Sequence, residues 1–256
     1  MMGGLALTSC ALHPLASAVW NESHFDGPSF QFDRDAATSE QAIVVGLLGG
    51  LRAAVADVLW LKASQLAEAH DLAATNATLR LVSAVDSRSL YFWLNGARII
   101  AYDLPEWKIA AAGGYGRVRT SAREAIAHDW ARRALRRLDE AMRFHPASAA
   151  LWIERANIEL NRLGELAGAA ESYRRAAEQP DAPWFAARLH AEMLRRLGKK
   201  ADALGWLVRL HPQLPPTVES AGAGLVLARI RSLERELGVP AGQGYCQRGT
   251  RAMDPG

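Results

Sequence analysis

Residues 160–169 read LNRLGELAGA, and residues 194–203 read LRRLGKKADA. The leucines, the glycine and the closing alanine keep identical offsets at an interval of 34 residues, and no other feature restricts the fold as much. That interval is the length of a helix–turn–helix unit, two antiparallel helices whose apolar stripes cannot cover themselves. Stacking the next unit buries them, so the repeat predicts an all-α chain of helix pairs, an α-solenoid. Gly164 and Gly198 fall where the first helix turns back, a place that suits a residue free to become left-handed. Ala169 and Ala203 come early in the second helix, where a small side chain admits a close neighbour. Tyr173 and Ala176 follow in one unit, Leu207 and Leu210 in the other, and Pro183 and Pro215 close them.

The rest of the chain has the same helical period. Helices fit 41–70, 73–85, 90–102, 121–144, 148–163, 166–178, 183–197 and 200–211, with Gly, Pro or Asp between them. Val218, Gly222, Val226, Ile230, Leu233 and Leu237 make one stripe over 217–237, a helix suited to capping the open end of a stack. The chain then divides into an apolar arm (1–20), a linker (21–40), a degenerate helical region (41–105), a glycine-rich connection (106–120), the clear repeats (121–216), the capping helix (217–237) and a tail expected to be disordered (238–256). No segment reads as a strand.

The residues of the repeat resemble the tetratricopeptide family. Its motif places a Gly at the turn, then Ala, an aromatic residue and Ala in the second helix, then Pro. Ala169, Tyr173, Ala176 and Pro183 match it, and Ala134, Leu138, Ala141 and Pro146 match one unit earlier at a spacing of 35. Phe92, Gly96 and Ile99 match the first helix of a degenerate unit upstream. A narrower likeness rests on GGLRAAVADVLWLKA (49–63) and DSRSLYFWLNGARIIAYDLP (86–105). Gly49, Gly50, Leu51, Arg52, Asp57 and Trp60 match a pattern shared by bacterial envelope-associated tetratricopeptide proteins. The resemblance implies a non-catalytic scaffold that binds protein partners, with an N-terminal anchor and no assigned activity.

The N-terminus agrees only in part. Residues 1–20 carry no charge, so the basic start of a secretory signal is missing. LTSC at 7–10 has the form of a lipoprotein cleavage box, with Cys10 as the lipid acceptor; the alternatives are the remainder of an anchor or a loose apolar arm. All three place the chain at the cell envelope, membrane-associated or periplasmic; without them it is cytoplasmic. Bulk composition narrows partners further. Half the residues are hydrophobic and the net charge is only +3, which argues against nucleic acid. The two cysteines, Cys10 and Cys246, are too few and too distant for a disulfide framework or a metal site.

No catalytic motif is present: no Walker loop, nucleophile elbow, His-Glu-x-x-His or Cys-x-x-Cys. GGYGR at 113–117 follows no strand, so it reads as a hinge. The seven histidines never pair at ligand spacing, and no cofactor is implied. The binding candidates are Asn95, Asn157 and Asn161, polar positions on first helices that would face a groove, and Arg132 and Arg136, on a basic stretch open to acidic partners. Two alternatives stand beside the scaffold. One is an enzyme or accessory domain with a small-ligand site near Arg52, Asp57 and His70, charges in an apolar setting. The other is a structural subunit of a membrane-associated complex.

Overall fold

The computed structural model describes residues 40–245, and every regular element among them is helical. Helix α1 (Glu40–Glu68) and helix α2 (Leu72–Val85) meet in a tight turn where His70 is left-handed, with φ 55°. Asp71 starts α2 by accepting the Ala74 N–H at 3.0 Å. Cys10, the apolar arm and residues 21–39 of the linker lie outside the described residues, as does the tail beyond Tyr245.

The helix expected to stop before Pro105 does not. Helix α3 (Leu90–Arg98) passes through a π turn at Ile99–Asp103 and resumes as α4 (Leu104–Ala111). Pro105 thereby lands in the first turn of α4, where a missing N–H costs least. The glycine-rich connection is shorter than 106–120 for the same reason. Gly113 and Gly114, at φ 105° and 78°, turn the chain into α5 (Thr120–Phe144).

The repeats follow as α6 (Ala149–Ile158, prolonged by a π turn at Glu159–Leu163), α7 (Leu166–Ala177), α8 (Trp184–Arg196) and α9 (Lys200–Leu210). Gly164 and Gly198 are left-handed, at φ 68° and 77°, as the turn requires. The 35-residue spacing of the earlier unit has a local cause. Fifteen positions separate Ala149 from Gly164, but fourteen separate Trp184 from Gly198. The extra residue is taken up by the π turn, which inserts one residue without ending the helix. The last helix, α10, covers Ala223–Glu236 and not 217–237. Gly222, left-handed at φ 66°, separates it from a 3₁₀ turn at Glu219–Ala221.

Burial runs along the stack as a chain of clusters. Ala56, Val82 and Phe92 join α1 to α2 and α3. Leu79, Trp93, Leu104, Ala134, Leu138 and Leu151 carry the core from α2 to α6. Ala156, Ala169, Tyr173 and Met193 join α6, α7 and α8, and Ala203, Leu207, Val226, Ile230 and Leu233 finish it at α10. Each helix packs chiefly on its neighbours in sequence, the arrangement of a quasi-one-dimensional fold.

Gly96 and Gly164 are glycines for different reasons. A Cβ at Gly164 would meet nothing within 4 Å, so only its backbone conformation forbids a side chain. A Cβ at Gly96 would sit 2.5 Å from Nη2 of the buried Arg137. That guanidinium cannot swing away, because Nη2 is bonded to Leu79 O, Ser83 Oγ and Phe92 O. Gly164→Ala is expected to cost about 1 kcal/mol of backbone strain. Gly96→Ala is expected to cost roughly 1–3 kcal/mol through overpacking. Urea denaturation of the two variants checks both the losses and their order.

Candidate functional site

A cleft of about 570 Å³ lies between α8 and α10. Phe185, Arg188, Leu189, Glu192 and Arg195 recur at three- and four-residue steps along α8, so they share one face. Leu225, Val226, Arg229 and Leu233 do the same on α10, and Leu207 of α9 closes the floor. The lining is apolar below and charged at the rim. Leu225 is 69% exposed and Phe185 42%, large apolar groups left in water by the fold. Covering either completely is worth about 1.5–3 kcal/mol to a ligand.

The rim is cationic. Glu192 is bonded to Arg195 at 2.6 Å and lies 3.7 Å from Arg229, and these bridges lower its pKa. Among the described residues no carboxylate pairs with Arg188. Its Nη1 donates to Ala221 O at 2.6 Å and Ser220 O at 3.3 Å, which ties α8 to the entry of α10. Gly222 must lack a side chain there, since its Cβ would sit 2.6 Å from that nitrogen. One carboxylate thus faces three guanidinium groups, and an anionic group on a ligand meets an unbalanced positive rim.

The back of α8 is fixed by a polar staple. His190 is buried, its Nδ1 donates to Ala170 O at 2.8 Å, and its ring stands edge-on to Trp206 at 4.5 Å. Trp206 Nε1 donates to Ala187 O at 2.9 Å. The two rings hold α7, α8 and α9 together behind the groove.

The residues singled out from sequence do not form one site. Asn157 is spent on structure, its Oδ1 accepting the Tyr173 hydroxyl at 2.7 Å. Asn95 donates to Tyr91 O of its own helix at 3.0 Å. Asn161 is exposed and lies beside Tyr102, whose pKa is raised by burial and by Glu154. Arg132 and Arg136 are exposed on α5, but their neighbour Arg133 is held by Asp129 at 3.0 Å and Arg137 is buried. The stripe of Trp130, Ala134, Arg137 and Ala141 already carried that signal, at helical steps along the buried face. Trp184 is 39% exposed.

The three residues named for a small-ligand site, Arg52, Asp57 and His70, are not brought together by the fold. Asp57 and His70 are separated by thirteen residues of nearly continuous helix, or ~20 Å at 1.5 Å per residue. Asp57 and His70 are exposed and Arg52 is half-buried. His70 stacks on Trp107 at 5.0 Å. Among the described residues no three His, Cys, Asp or Glu side chains converge as metal ligands, and no helix is long and apolar enough to cross a membrane.

An all-α stack of antiparallel helix pairs with an apolar, cationic-rimmed groove defines a helical-repeat protein. No family model matches the chain, and no curated protein matches it. Among solved structures, the assembly chaperone of RpL4 (Acl4) aligns with 72% of this chain and 86% of its own, at 18% identity and a TM-score of 0.26. At that score the likeness carries no statement about function.

Burial pushes the His190 pKa below its ordinary value of 6.5. The folded state therefore favours the neutral ring, so its contribution to stability is complete above the unfolded pKa and is lost as pH falls below it. The melting temperature should drop between about pH 7 and pH 5, and the drop should be smaller in His190→Gln. Thermal melts of both chains across that window check the difference.

Proposed function

We propose that this chain is a non-catalytic scaffold of the tetratricopeptide type, which holds a protein partner in the groove between α8 and α10. The observation that carries the reading is the cleft of about 570 Å³ with Leu225 and Phe185 exposed inside a rim of Arg188, Arg195 and Arg229. Such a surface suits a short segment with one or two large apolar side chains flanked by carboxylates. Burial of the apolar groups supplies affinity, and the arginines supply orientation and selectivity. Rigid helices present these groups at fixed spacing, so recognition needs no chemistry from the protein. The reading includes placement at the bacterial cell envelope, supported by the uncharged residues 1–20 and the box ending at Cys10.

A displayed library of random twelve-residue peptides tests the groove directly. Enrichment of sequences that combine Leu or Phe with Asp or Glu is expected. Leu225→Glu and Arg229→Glu should each weaken a selected peptide ~tenfold or more, the equivalent of about 1.4 kcal/mol. No enrichment, or selected peptides indifferent to both substitutions, overturns the assignment. Mass spectrometry of the mature N-terminus tests the envelope: lipid-modified Cys10 as first residue supports it, and a soluble chain retaining Met1 removes it.

A further inference from the structure

A second, smaller cavity opens on the opposite part of the stack, between α2 and α5. Its volume is about 190 Å³, and its walls are Asn76 and Arg80 of α2, Arg133, Arg136, Arg137 and Glu140 of α5, and Ile100. Asn76 and Arg80 are one helical turn apart, and the α5 residues fall at steps of three, one and three, so two polar faces confront each other. Four guanidinium groups share the cavity with one carboxylate.

Arg137 is the unusual member. It is 5% exposed, and its three hydrogen bonds, at 3.0, 2.5 and 3.1 Å, all leave from Nη2 to uncharged oxygens. Its Nε is buried without a partner. A buried cation normally has a counter-ion bonded to it, because desolvation is otherwise uncompensated. Burial accordingly pulls the Arg137 pKa down to about 10, with Glu140 opposing and Arg80 adding to the fall. Arg80 and Arg136 make no ion pair among the described residues. With Asp129 set against Arg133 and Glu140 against one other arginine, two positive charges are left facing the cavity.

The geometry points to an oxyanion site: the α2–α5 cavity binds a phosphate or phosphomonoester group, held by Arg80 and Arg136 with Asn76 as a further donor, and neutralising the field around Arg137. The size fits, since the cavity holds the equivalent of about six water molecules at ~30 Å³ each. Arginine forks match tetrahedral oxyanions, whose several oxygens accept from more than one guanidinium. A monovalent carboxylate would neutralise only half the excess charge. The site is separate from the α8–α10 groove, and its test does not depend on that groove.

The experiment is calorimetric titration of the full chain with inorganic phosphate, at ionic strength held constant with sodium chloride. Acetate serves as the monovalent control. One phosphate per chain is expected, with a rise in melting temperature that acetate does not reproduce. Arg80→Gln with Arg136→Gln, both at exposed positions, should weaken binding by at least ~tenfold, since each substitution removes charge-assisted bonds to the anion. Glu140→Gln removes the competing carboxylate and should tighten binding severalfold. Stabilisation by chloride or acetate equal to that by phosphate overturns the proposal. So does phosphate binding that ignores all three substitutions. Vesicles of phosphatidylcholine containing phosphatidic acid separate the sources: cosedimentation competed by free phosphate identifies a lipid headgroup. Phosphate binding without cosedimentation identifies a soluble ligand.

Discussion

Ala134, Ala169 and Ala203 occupy the same position in three successive second helices, and none of them exposes any surface. A methyl group there lets the first helix of each pair approach to packing distance, and everything downstream depends on that approach. Leu138, Tyr173 and Leu207 fill the space one turn further along, and Ala141 and Ala176 close it again. Because each helix touches mainly its sequence neighbours, the stack gains stability unit by unit through a chain of clusters. The groove at α8–α10 is a consequence of this geometry. Its walls are the faces of two helices that are both engaged behind, by the His190–Trp206 staple and by Ile230.

Charges buried between helices add register to this packing. Glu154, almost fully buried, is held by Arg98 of α3 at 2.8 Å. Glu159 sits at the π turn, where its carboxylate accepts the Ser172 hydroxyl at 2.6 Å and pairs with Arg155 at 3.0 Å. Its backbone carbonyl accepts the Glu165 N–H at 2.8 Å, which closes the widened turn. Gly168 stands opposite because a Cβ there would come within 3.3 Å of that carboxylate. Burial raises the Glu159 pKa, so the bonds offset part of a desolvation cost and add little net stability. What they fix is which residue of one helix faces which residue of the next.

Much of the fold was legible in the residues. The spacing of Gly164 and Gly198, the alanines behind them and the prolines beyond each pair specify helix hairpins, because those positions obey local rules of helix ending and close packing. The 35-residue spacing was legible as an anomaly, and its π turn was not, since π and α turns share the same residues. Pro105 misled for a related reason: a proline stops a helix only if it falls beyond the first turn, and the π turn at Ile99–Asp103 resets where that turn is. The candidate site was barely legible. Asn157 and Asn161 looked equivalent, yet only the stack decided that Tyr173 would occupy one of them.

The sequence by itself determined that this chain is helical, that its helices come in pairs, and that the pairs must stack to hide their apolar stripes. Those properties follow from periodicity and from turn residues, which act over a few positions. Tertiary structure alone decided where charge and apolar surface remain uncovered. The α8–α10 groove joins residues some 40 positions apart, and the α2–α5 cavity brings Arg80 to Arg136 and Arg137 across more than 50. Such meetings depend on how neighbouring helices are rotated against one another, and no local pattern along the chain encodes that rotation.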